Sequence, residues 1–146
     1  MAQIGIIGSG NVGANTAFFV AEKDVADVCM YDVKEGLSTG KALDMMEAAP
    51  LRGYQYTLRG TDEIGEVLKS DVLVVAAGET RDPGMKREDL YEKNRAVVSG
   101  IADVLGSYEG VVIVATEPVD FFTLELVRSG LPWQRVMGIG GVLDSA

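Results

Sequence analysis

Short apolar runs alternate along this chain with stretches of helical composition, and few folds are open to a sequence patterned in this way. Gln3–Ile7, Val28–Tyr31, Tyr54–Arg59, Asp71–Gly78, Val111–Ala115 and Arg135–Ile139 read as strands. Val12–Glu22, Thr39–Ala48, Asp62–Leu68, Glu88–Ser107 and Val119–Val127 read as helices. Between Val72 and Ala77 no polar residue occurs, which is typical of a strand covered on both faces. Such strands pair in parallel, because a helical crossover returns the chain to the same end of the sheet. The expected fold is therefore α/β: a doubly wound, six-stranded parallel sheet with helices on both faces.

Finer expectations follow from local chemistry. The first helix is dense in Ala, Phe and Val and reads as buried on most faces. Pro50 should end the second helix, because proline removes a helical N–H and clashes with the preceding turn. Thr61 is placed to cap the third helix. Leu90, Asn94, Val97, Val98, Ile101 and Leu105 fall on one face of the fourth. Gly130-Leu131-Pro132 stops the fifth.

Composition narrows the function. A chain of 146 residues is one domain, 1–146, and needs no covalent staple. Cys29 is the only cysteine, so neither a disulfide framework nor a cysteine metal cluster is available, and no metal site is expected. Histidine is absent altogether, which removes the commonest general base near neutral pH. The net charge of −9 disfavours a nucleic-acid partner. No apolar run is long enough to span a bilayer and no leader-like segment opens the chain, so a cytoplasmic protein is expected. Any phosphate must be held by backbone N–H groups rather than by a basic patch.

Gly8-Ser9-Gly10-Asn11-Val12-Gly13 supplies such groups. The G-x-G-x-x-G pattern is weak alone in a chain with 18 glycines. Here a strand precedes it, a helix follows it, and Asp32 closes the next strand, which is the layout of a dinucleotide-binding unit. Gly8 permits the turn, Gly10 lets backbone approach a pyrophosphate, and Gly13 lets helix and strand pack closely. The helix N-terminus then offers free amides and a positive dipole end. Asp32 suits the adenosine ribose hydroxyls and would repel a 2′-phosphate, which favours NAD over NADP. Lys34, close by in sequence, softens that repulsion.

Further stretches carry a more specific signal. They are Gly40-Lys41-Ala42-Leu43-Asp44, the run from Ala77-Gly78-Glu79-Thr80-Arg81 to Arg87-Glu88-Asp89-Leu90, and Leu143-Asp144-Ser145-Ala146. With these the chain resembles, from Ile4 onward, the N-terminal half of a malate dehydrogenase of the lactate-dehydrogenase-like family. The resemblance implies roles residue by residue. Arg81 matches the arginine that reads the far end of the substrate, where a lactate dehydrogenase usually carries glutamine. Its planar fork suits the second carboxylate of a 2-keto or 2-hydroxy dicarboxylate. Arg87 matches the arginine that polarises the reacting carbonyl. Asp144 matches the carboxylate that orients the family's catalytic histidine. Ala77, Gly78, Asn94 and Thr116 match positions that line the NAD site. The helix carrying Leu43, Met45 and Met46 matches one that meets a partner subunit, so the parent enzyme is expected to be a homo-oligomer.

Two departures qualify the resemblance. The family's substrate-clamping arginine and catalytic histidine would follow Ala146, so this chain is expected to be the NAD-binding half of a longer enzyme, silent alone, without the substrate domain. Glu117 stands where the family has an asparagine that touches substrate. Two like charges about 4 Å apart repel by roughly 1 kcal/mol in water and about 4 kcal/mol at an effective dielectric of about 20. Glu117 is therefore protonated in a closed site, turned away, or paired with a substrate other than malate. Three other readings stay open: a free-standing NAD-binding module, the NAD domain of a lactate-type 2-hydroxy-acid dehydrogenase, and that of a family 4 glycosidase.

Overall fold

The computed structural model describes residues 2–145, and of Arg87, Leu143 and Asp144 the backbone alone. Six strands form one sheet: β1 Gln3–Ile7, β2 Asp27–Tyr31, β3 Leu58–Thr61, β4 Val72–Val75, β5 Val111–Val114 and β6 Val136–Gly138. Every pairing is parallel and the order is β3-β2-β1-β4-β5-β6. The helices are α1 Asn11–Glu22, α2 Leu37–Arg52, α3 Ile64–Val67, α4 Arg87–Val104, α5 Val119–Arg128 and α6 Gly140–Asp144, the last not anticipated from sequence.

Strand alternation divides the core in two. Ile7, Leu73, Val75, Val112 and Val114 face Val98, Ile101, Leu105, Phe122 and Leu126 of α4, the turn after it, and α5. Ile6, Val28, Met30 and Val74 face Ala17, Ala21 and Ala42 of α1 and α2. Tyr91 ties α4 to α5 by stacking on Phe122 and donating to the Glu125 carboxylate at 3.1 Å.

Several local expectations are corrected. α1 is not buried on most faces: it buries a stripe of Gly13, Ala14, Ala17 and Ala21 and leaves Phe19 51% exposed. Small residues at that spacing let the helix sit close to the sheet, with Phe18 and Val20 packed at the margin of that core and Phe19 turned to solvent. Val97 likewise falls off the buried face of α4. Pro50 does not end α2. The helix runs to Arg52 and ends where Gly53 takes a left-handed φ of 84° and its N–H closes on Ala49. β3 begins at Leu58 rather than Tyr54, because Tyr54 is drawn under α2, where its hydroxyl donates to the Met45 carbonyl. Thr61 does not cap α3: Glu63 takes the N-cap position without a side-chain cap bond, and the Thr61 hydroxyl accepts the Glu63 N–H at 3.1 Å in the turn before it.

Candidate functional site: the cleft at the strand ends

The chain leaves β1 toward β2 and leaves β4 toward β5, so a crevice opens beyond the carboxyl ends of these two adjacent strands. A cleft of about 350 Å³ lies there. Gly10, Asn11 and Val12 line it after β1, Gly78 and Arg81 after β4, and Thr116 and Glu117 after β5. Residues far apart in sequence thus converge. Ala76, Ala115 and Pro118 also line the cleft without a role expected from sequence, as do Glu79, Thr80 and Leu90, which the sequence marks only as part of the family-like loop.

Close packing shapes the glycine loop. Gly8 has φ of 100°, and a Cβ on it would meet the Ala77 backbone at 2.5 Å. A Cβ on Gly13 would lie 1.8 Å from the Gly8 carbonyl oxygen. A Cβ on Gly10 would meet nothing within 4 Å, so this side of the loop is open for an approaching group. The Ala14 N–H is the first to close a helical bond, onto Gly10. The amides of Asn11, Val12 and Gly13 therefore head the helix without intrahelical partners. Ser9 is fully buried. Its hydroxyl faces the Tyr31 carbonyl at 3.4 Å, so its side chain turns inward and only its backbone shapes the site.

Asp32 reaches back to this loop. One carboxylate oxygen accepts the Ser9 N–H at 2.7 Å and the other accepts the Lys34 N–H at 3.0 Å. An ionised carboxylate offers about four lone-pair sites, so two bonds leave room for ribose hydroxyls. Lys41, named in sequence only as part of a family stretch, donates to the Ser9 carbonyl at 2.6 Å.

Asn94 is 1% exposed and braces the other walls. Its Oδ1 accepts the Glu79 N–H at 2.6 Å, and its Nδ2 donates to the Glu117 carbonyl at 2.9 Å. One amide thereby ties the loop after β4 to the turn after β5. Thr116 repeats the device, donating to the Ala77 carbonyl at 2.8 Å. Glu117 is exposed and precedes a cis bond to Pro118. Arg81 is exposed and makes no ion pair among the described residues, whereas neighbouring Asp82 pairs with Lys93 at 3.3 Å. The side chains of Arg87 and Asp144 lie outside the described residues. Burial pushes the Cys29 thiol up and keeps it neutral in the core. No group of potential ligands close enough to hold a metal occurs among the described residues. No helix among them is long and apolar enough to cross a membrane.

Loop, acidic strand end and open cleft define a dinucleotide-binding α/β domain of the doubly wound class. The family described as lactate/malate dehydrogenase, NAD binding domain, matches residues 2–138, and the chain belongs to it. A malate dehydrogenase of Salinibacter ruber is 44% identical over 98% of this chain and 47% of that protein. The crystal structure of Cryptosporidium parvum malate dehydrogenase matches with a TM-score of 0.94 at 37% identity, covering 99% of this chain and 47% of that one. The lactate dehydrogenase of the same organism, solved with lactic acid and NAD, matches with a TM-score of 0.91 at 33% identity, covering 98% and 46%. The chain thus spans about half the length of the relatives it matches, and NAD is the cofactor of its family.

Proposed function

We propose that this chain is the NAD-holding half of an NAD-dependent malate dehydrogenase that interconverts a 2-hydroxy and a 2-keto dicarboxylate, and that the whole enzyme is a homo-oligomer of the cytoplasm. The observation that carries the reading is the convergence of Arg81 with the open amides of Gly10, Asn11 and Val12 in one cleft. These amides fit a pyrophosphate, because Gly10 leaves their approach clear and a chain of charge −9 has no basic patch to offer instead. Asp32 would take the adenosine ribose. Ala77, Gly78 and Thr116 would form the wall toward the nicotinamide, held in place by Asn94. When bound, NAD supplies the hydride acceptor. Arg81 would pair the distal carboxylate in the bidentate mode that glutamine cannot offer, which favours malate over a lactate-type substrate. Arg87 would polarise the reacting carbonyl, and Asp144 would orient a histidine of the second domain. The 146-residue chain, lacking any histidine, is expected to be silent alone.

Specificity constants for oxaloacetate and pyruvate in the full-length enzyme test this reading. Arg81→Gln should shift preference toward pyruvate, since the dicarboxylate loses a charge-assisted contact worth about 1.5–3 kcal/mol. Glu117→Asn should improve oxaloacetate use if the carboxylate is ionised near substrate, and leave it unchanged if Glu117 faces water. Equal weakening of both keto acids by Arg81→Gln would discard the substrate assignment. Turnover by the 146-residue chain above a buffer blank would discard the division of labour.

A further inference from the structure

We infer that Lys41 is a positioning residue for the phosphate loop: its ammonium fixes the Ser9–Gly10 peptide so that the Gly10 N–H faces the pyrophosphate. The inference rests on the NAD site proposed above and concerns a residue with no role in that assignment. Ser9 is fully buried, and charged groups hold it from two sides. The Asp32 carboxylate takes its N–H at 2.7 Å, and the Lys41 ammonium takes its carbonyl at 2.6 Å. Both are charge-assisted bonds, stronger than neutral ones.

The geometry follows from peptide planarity. In a trans peptide the C=O and the next residue's N–H point in opposite directions. Among the described residues the one cis bond is Glu117–Pro118, so Ser9–Gly10 is trans. With the Ser9 carbonyl turned to Lys41, the Gly10 N–H points the other way. Among the described residues it has no acceptor, and Gly10 lines the cleft. Gly10 has no side chain to resist rotation, and the space around it is open. Without the lysine the peptide is free to turn over and to present a carbonyl oxygen where an anion must sit. α2 brings Lys41 to this point because its buried Ser38 and Ala42 pin the same helix to the sheet.

The test compares NADH, ADP-ribose and adenosine binding by the 146-residue chain and its Lys41→Met and Lys41→Arg variants. Lys41→Met keeps the stem and removes the donor. It should weaken NADH and ADP-ribose alike by roughly tenfold or more, and leave adenosine, which carries no phosphate, unchanged. Lys41→Arg should restore most of the loss. In the unmodified chain the Gly10 amide resonance should shift on adding ADP-ribose, a readout that survives if Lys41→Met fails to fold. Unaltered ADP-ribose affinity in Lys41→Met, equal losses for adenosine, or a Gly10 amide indifferent to ADP-ribose would each overturn the inference. Gly10→Val separates this failure from that of the site itself. If the unmodified chain binds NADH and Gly10→Val does not, the site stands whatever Lys41 does. If Gly10→Val binds NADH as the unmodified chain does, or neither binds, the site assignment falls and the inference with it.

Discussion

The Asp32 carboxylate accepts the Ser9 and Lys34 amides, so it holds the glycine loop, and in the proposed site it would also take the ribose. Asp32→Ala should therefore do more than erode the preference for NADH over NADPH. It should weaken NADH by roughly tenfold as well, since the Ser9 N–H loses a bond to a charged acceptor. Calorimetric titration of both cofactors at one ionic strength reads the two effects separately. A preference that collapses with NADH affinity intact would confine Asp32 to ribose recognition. Asn94 shows the same economy: the resemblance implies a cofactor-lining residue, and its buried amide joins two loops. Only the resemblance marked that position, because a single asparagine on an apolar helix face looks like an interruption until its partners are in place.

At the scale of elements, the seat of α2 on β3 leaves no room for a side chain. A Cβ on Gly60 would lie 2.2 Å from the backbone of Ser38 and Thr39, where nothing flexible can yield. The Ser38 hydroxyl donates to the Thr61 carbonyl at 3.0 Å and registers the helix on the strand. Gly60→Ala should destabilise the domain by about 1–3 kcal/mol or more, the usual cost of overpacking. It should also loosen the Lys41 bond that α2 carries to Ser9. Urea midpoints check the first effect and NADH affinity the second. An undisturbed midpoint would mean that α2 can shift without cost. The local chemistry of Pro50 predicts a break in this same helix, whereas the ending is made by Gly53.

Across the whole molecule, large apolar side chains reach water at both edges of the sheet, on α2 beside β3 and just ahead of β6. Leu43 of α2 is 61% exposed and Trp133 is 70% exposed, while Met45 and Met46 are partly buried against the core. At the amino-terminal end of the sheet, the Tyr108 hydroxyl donates to the Ser70 carbonyl at 2.9 Å. Burial, and after it the Asp71 carboxylate, push this phenol up to about 12. An unfolded tyrosine titrates near 10, so the folded chain holds the proton more tightly. The resulting stability is fully present below about pH 10 and is lost as the pH rises through about 12. Tyr108→Phe should flatten this alkaline decline in denaturant midpoints. Some slope should persist, because burial raises Tyr54 and Tyr91 in the same direction. An unchanged slope would take Tyr108 out of the account.

The amino-acid sequence by itself determined the parallel doubly wound sheet, the glycine loop and the acidic strand end. Each is written in a local period or spacing that a handful of neighbouring residues enforce. Hydrophobic alternation needs no partner to be read, and a glycine required by φ or by close approach stays a glycine wherever the loop is met. The tertiary structure decided what the spacing could not. It drew Tyr54 out of a strand, carried α2 past Pro50, turned Phe19 outward, and set Lys41 and Asp32 on opposite ends of Ser9. These outcomes depend on contacts between residues distant in the chain, where packing and a single buried peptide outweigh local preference.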